Sequence, residues 1–175
     1  KVNSIPDLPE TCKLLVIEKS EIGNFDIRLK DSSNFKGLFV LESQLEFIPE
    51  SWRNLKNLKT LYVRNAGLKA LPDWIGEMSI ESLDLKGHQL ESLPLNFHNL
   101  PLKYFGLGSL TKVDNWEEVF MIKSEVVCCD FTNRSTTEEE RQYYKSNPEK
   151  FPLYPKLRRC AAGCYSPIIP HIFQV

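Results

Sequence analysis

Seven apolar positions recur in three successive units of this chain, and that repeat constrains the fold more than any other feature. The central unit holds Leu58, Leu61, Val63, Leu68, Leu71, Pro72 and Ile75. Twenty-two residues later stand Ile80, Leu83, Leu85, Leu90, Leu93, Pro94 and Phe97, and twenty-three residues earlier Phe35, Leu38, Val40, Leu45, Ile48, Pro49 and Trp52. A fixed period of this length is the mark of stacked supersecondary units. The pattern extends outward in weaker form. Cys12, Leu15, Ile17, Ile22, Phe25 and Leu29 precede it without the proline. Leu102, Phe105 and Leu107 follow, then Val127 and Cys129.

The alternating apolar pairs are 15/17, 38/40, 61/63, 83/85, 105/107 and 127/129. Alternation puts both members of a pair on one face of a strand. One unit cannot bury its own apolar face, but stacked units share a continuous core. Six parallel strands centred on residues 16, 39, 62, 84, 106 and 128 are therefore expected, with the flanking pairs buried.

These residues resemble the leucine-rich-repeat family in its L-x-x-L-x-L-x-x-N-x-L-x-x-L-P-x-x-I form, most strongly from about Phe35 to Leu100. The resemblance implies an α/β fold, a curved horseshoe-shaped solenoid. Short parallel strands would line its concave face, with helical or irregular segments on the convex side and a helical C-terminal cap. It also implies protein binding. The asparagine of the family pattern is replaced by Ser20, Ser43, Ala66 and His88. Because Ala66 offers no polar atom, water or a shifted backbone is expected there. His88 takes a structural role at the turn.

The repeat divides the chain into an N-terminal cap over 1–11, a repeat domain of about six rungs over 12–131, and a C-terminal capping helix with a Pro-rich apolar extension over 132–175. Open ends of such a stack need covers. Ser135-Thr136-Thr137-Glu138 reads as a capping box that opens a helix through about Tyr144, with Asn147-Pro148 ending it. The tail around Ile168, Ile169, Ile172 and Phe173 is too apolar for a solvated linker, and a strap over the last rung is expected. Phe173-Gln174-Val175 also fits a loose C-terminal peptide motif.

Composition narrows the function. Twenty-two basic and 23 acidic residues give a net charge of −1, so no basic excess attracts phosphate backbones, and nucleic acid is not an expected partner. No apolar run is long enough to suggest a membrane span. Five cysteines, an odd number with Cys128 and Cys129 adjacent, argue for reduced thiols and a cytoplasmic protein rather than a disulfide framework. Asn133-Arg134-Ser135 matches a glycosylation acceptor pattern that is common by chance.

Few residues suggest catalysis. Cys128-x5-Arg134-Ser135 matches the minimal phosphate loop of cysteine phosphatases and follows a predicted strand. The intervening residues lack glycine, and Asp130 would oppose a phosphate dianion. Cys160, Cys164 and His171 could gather as metal ligands, but no fourth ligand is evident. No cofactor and no metal are expected, and core or strand packing is the simpler role for these thiols.

Strand alternation also defines the opposite, concave face. Its central column is Val16, Phe39, Tyr62, Asp84, Gly106 and Cys128. The preceding column holds Leu14, Gly37, Thr60, Ser82, Tyr104 and Val126, the following one Glu18, Leu41, Arg64, Lys86, Gly108 and Asp130. Aromatic and aliphatic groups beside an arginine have the makeup of an interface hot spot. Phe39, Leu41, Tyr62, Arg64, Asp84, Lys86 and Tyr104 are thus the candidate partner-binding residues, unless residues 1–10 or the tail cover them. Trp74 beside Ile75 marks the convex side, where it packs on its neighbour or offers a second contact.

The leading expectation is a monomeric, non-catalytic protein-interaction module that binds a protein or peptide. A recognition domain of a larger signalling protein or enzyme, of GTPase or ubiquitin-ligase type, is the second reading. A phosphatase using Cys128 is a remote third.

Overall fold

The computed structural model describes residues 5–21, 23, 25–88, 90–109, 115–124, 126–130 and 137–153. Six strands form one parallel sheet in sequence order: β1 (Leu14–Glu18), β2 (Gly37–Leu41), β3 (Thr60–Arg64), β4 (Ser82–Asp84), β5 (Tyr104–Ser109) and β6 (Val126–Asp130). Register follows the repeat. Val16 pairs with Phe39, Phe39 with Tyr62, Tyr62 with Asp84, Asp84 with Gly106, and Gly106 with Cys128. The last rung departs from expectation. A bulge at Leu107 sets Gly108, not Leu107, opposite Cys129, and Ser109 opposite Asp130. One extra residue on β5 shifts its end and unpairs the expected 107/129 match.

The pairs 38/40, 61/63, 83/85 and 105/107 are buried in one core, with Ile17 buried and Leu15 packed against it. The opposite wall of that core comes from connecting segments. Pro49 and Pro72 immediately precede short 3-10 helices at Glu50–Asn54 and Asp73–Glu77, and a third spans Phe97–Asn99. Proline suits these starts because its ring pre-sets φ and it lacks an N–H that would be orphaned there. Trp52, Ile75 and Phe97, equivalent in the repeat, are all buried. Trp74 is buried as well, and its indole N–H donates to Glu50 Oε2 on the previous unit at 2.5 Å. It packs between units rather than projecting.

Each strand through β4 leaves the sheet through a left-handed residue. Lys19, Glu42 and Asn65 have φ of 49, 48 and 50°, and Gly87 has φ 83°. This conformation costs a non-glycine residue roughly 1 kcal/mol, and the sheet's hydrogen bonds offset it. The amides of Lys19, Glu42 and Asn65 donate to Leu41, Arg64 and Lys86 carbonyls at 2.9–3.0 Å. Gly87 has a second reason to be glycine, since a Cβ there would lie 1.8 Å from Asn65 Oδ1.

At the turn that holds Ala66, a side chain of the next unit supplies polar groups. His88, one rung later, reaches back. Its Nδ1 accepts from Leu68 N–H at 3.1 Å and its Nε2 donates to the Val63 carbonyl at 2.8 Å. That pattern requires a neutral imidazole with the proton on Nε2. Ser43, two units earlier, also reaches back by accepting from Ser20 N–H at 3.1 Å, while its hydroxyl donates to the Leu41 carbonyl of its own rung at 2.9 Å. A side chain from one rung thus fills the backbone needs of the rung before it.

Burial pushes the His88 pKa below its ordinary value, only partly opposed by the Val63 bond and the Asp84 charge. Protonation would also set an N–H against the Leu68 N–H. An unfolded histidine titrates near pH ~6.5, so below that value the unfolded chain binds a proton the folded chain refuses. Stability therefore falls as pH drops through about 6.5, and this loss levels off below the folded pKa. Replacing His88 with Asn should remove that component. Melting temperatures at about pH 7.5 and 5.5 should differ less in the variant than in the wild type. Equal drops in both proteins would contradict the assignment.

Helix α1 (Trp116–Phe120), absent from the sequence reading, starts at Asn115, whose amide bonds both backbone groups of Leu93 at 3.0 and 2.6 Å. Helix α2 (Glu138–Ser146) ends at Asn147 as expected. Its capping box lies two residues later than expected, on Thr137 and Glu140. Tyr144, Phe151 and Leu153 seat this segment on Phe120 and the end of the core. At the other end Leu8 N–H donates to the Arg28 carbonyl, and Ile5 and Leu8 lie against the core. The tail reading for 154–175, the Cys160, Cys164 and His171 set and the Asn133-Arg134-Ser135 pattern lie outside the described residues.

Candidate functional site

All seven candidate residues fall on the sheet face turned away from the main core. Phe39, Tyr62 and Tyr104 form a second apolar cluster there, with Leu14 and Leu41 at its margin. The parallel register causes this, because equivalent residues of adjacent rungs stand about 4.8 Å apart. Phe39 meets the Tyr62 ring edge-on, with centroids 4.9 Å apart, and Tyr104 lies 6.1 Å from Tyr62 on its other side.

Exposure differs from expectation. Phe39, Tyr62, Asp84 and Tyr104 are buried, whereas Leu41, Arg64 and Lys86 are half-buried. The tyrosines bond their hydroxyls to neighbouring rungs instead of projecting outward. The Tyr62 hydroxyl bonds Ser82 Oγ at 3.0 Å, and the Tyr104 hydroxyl donates to Asp84 Oδ2 at 2.9 Å. Arg64 sits 5.2 Å from the Tyr62 ring centroid, within cation–π range. Val16, at the β1 edge of the column, is exposed.

Asp84 is the electrostatic centre. Its carboxylate is fully buried and accepts from the Arg64 guanidinium, the Tyr104 hydroxyl and the Lys86 backbone N–H, the last at 3.1 Å. The Lys86 ammonium stands 3.9 Å away. Burial disfavours the charge on Arg64, but its hydrogen bond and charge pairing with Asp84 outweigh that and raise its pKa. Gly106 makes room for this group, since a Cβ there would lie 2.9 Å from Asp84 Cγ and from the Tyr104 hydroxyl. The sequence reading placed Ser82 and Gly106 in the right columns but gave them no role as the hydroxyl partner and the gap that hold the cluster flat.

Acid–base or nucleophilic chemistry has little support in these contacts. Asp84 is engaged by Arg64, Tyr104 and the Lys86 backbone N–H. His98 bonds Glu118 at 2.9 Å, with no nucleophile among the contacts described. Among the described residues no group of three or more His, Cys, Asp or Glu side chains is placed to hold a metal ion. No helix among them is long and apolar enough to cross a membrane. Cys128 lies on β6 opposite Gly106, but its side chain and residues 131–136 fall outside the described set. A cavity of about 570 Å³ beside the N-terminal segment mixes Asp7 and Asp31 with Arg28 and Lys30, and carries no evident catalytic set. No protein-family model matches the sequence.

Proposed function

We propose that the chain is a leucine-rich-repeat solenoid acting as a non-catalytic protein-interaction module, with its partner seated on the strand-lined concave face. The observation that carries this reading is the build of that face. A packed aromatic floor of Phe39, Tyr62 and Tyr104 is edged by the half-buried Leu41, Arg64 and Lys86 and the exposed Val16. Rigid aromatic floors with accessible aliphatic and charged margins suit protein recognition, since little side-chain entropy is lost on binding. The 22–23-residue repeat and the unbroken parallel order support the solenoid. The free thiol of Cys12 fits a reducing, cytoplasmic setting.

The burial of Tyr62 changes which variants test the proposal. Tyr62→Ala would now remove core-like packing, and Arg64→Glu would set a second carboxylate against Asp84. Val16→Asp and Leu41→Asp alter the accessible margin instead. Peptides selected from a random displayed library on the wild type should bind each variant at least about tenfold more weakly, a loss of about 1.4 kcal/mol, with a cooperative melt showing that each variant is folded. Equal affinity for wild type and both variants would move the binding surface elsewhere.

A further inference from the structure

The hydrogen-bond ladder of the sheet continues one residue before each of β1 to β5, and that added column is largely basic. It runs Lys13, Lys36, Lys59, Glu81, Lys103. The amides of Lys36, Lys59, Glu81 and Lys103 donate in turn to the carbonyls of Lys13, Lys36, Lys59 and Glu81 at 2.7–2.9 Å. These residues are therefore stacked one per rung along the strand-start rim. Lysines directly adjacent across a ladder repel one another, and three succeed each other before Glu81 intervenes. Glu81 relieves part of the repulsion by pairing with Lys59 at 3.0 Å and Lys103 at 2.6 Å.

The strand face beside this rim carries Arg64 and Lys86 with the acidic Glu18 and Asp84, and Asp84 is buried and paired with Arg64. Among the described residues the rim thus holds four lysines to one glutamate, in a chain whose net charge is −1. Local repetition, not overall composition, has gathered the positive charge.

We infer that the partner of this face carries an acidic protein segment held along the lysine rim. The inference rests on the interaction-module reading above. From Lys13 to Lys103 the rim crosses four strand spacings, about 19 Å, which an extended segment of about six residues can follow. The ion pairs of Glu81 are partly exposed and contribute little, so Lys59 and Lys103 can exchange them for partner carboxylates at small cost. Glu81 interrupts the column and the whole chain is slightly acidic. Both features disfavour a continuous polyanion such as nucleic acid or an anionic bilayer, and suit a protein segment whose separate acidic side chains can straddle the interruption.

The test is fluorescence anisotropy with a labelled peptide alternating glutamate with leucine and serine, and its twin with glutamine at every glutamate. The wild type should bind the glutamate peptide at least about tenfold more tightly, with affinity falling as salt rises. Lys36→Glu/Lys59→Glu should abolish that preference, and Lys145→Glu on α2 should leave it unchanged. Melting temperature verifies that each variant is folded. Equal binding of the two peptides, an unaffected lysine variant, or tighter binding of a single-stranded oligonucleotide or phosphatidylserine vesicles would overturn the inference. If Val16→Asp or Leu41→Asp still weakens the library-selected peptides in that event, the interaction-module reading stands alone. If neither does, both fall.

Discussion

Leu83→Ala should lower the unfolding free energy by about 2–5 kcal/mol. Leu83 is fully buried and stands in register between Leu61 and Phe105. Truncation removes its transfer free energy and leaves a cavity walled by neighbouring strands that cannot close without breaking the ladder. Stacked repeats draw much of their stability from contacts between adjacent units, so a defect in the fourth rung weakens coupling on both sides. Leu61→Ala should behave alike. Leu95, a leucine of the same unit, is 78% exposed, and Leu95→Ala should stay within about 0.5 kcal/mol of wild type. Urea denaturation of the three variants measures this. A loss below about 1 kcal/mol at Leu83 would mean that the rung is not a shared core.

Asp84→Ala should cost about 3 kcal/mol although it removes no apolar contact area. The change leaves the Arg64 guanidinium and the Tyr104 hydroxyl without their acceptor in a largely desolvated place, and breaking one side of a buried pair is more costly than replacing both. Adding Arg64→Met to Asp84→Ala should therefore recover part of the loss. Arg64 keeps some solvent contact, with 22% of its side chain exposed, which places the estimate at the low end for buried pairs. The double-mutant cycle, read by denaturation, separates the pair from its neighbours. An additive result would mean that Arg64 and Asp84 are not energetically coupled.

Core pairs such as Leu38/Val40 and Leu61/Val63 were legible because a period of two and a period of 22–23 residues coincide only in one register. The bulge at Leu107 was less legible, because inserting one residue leaves the apolar pattern of β5 unchanged. The capping box was misplaced for a related reason. Ser135-Thr136-Thr137-Glu138-Glu139-Glu140 holds overlapping Ser/Thr-x-x-Glu patterns, and only the helix geometry selects Thr137.

The candidate face was legible in membership but not in exposure. Alternation puts Phe39, Tyr62 and Asp84 on one side, yet whether a tyrosine stands or lies depends on the neighbouring rung. Here Ser82 supplies a partner for one hydroxyl, Asp84 for the other, and Gly106 supplies space. The role of His88 was half visible. Its turn position was plain from the repeat, but its partners Leu68 and Val63 belong to the preceding unit. Lys19 and Glu42 gave no sign of their left-handed backbone, since neither residue type favours it.

Hydrogen–deuterium exchange with and without a library-selected peptide tests most directly where a partner sits. The proposed function predicts added protection at Gly37–Leu41, Thr60–Arg64 and the turn after Asp84, with little change in the 3-10 segments Glu50–Asn54 and Asp73–Glu77. Protection confined to those segments or to α2, with the strands unchanged, would contradict it.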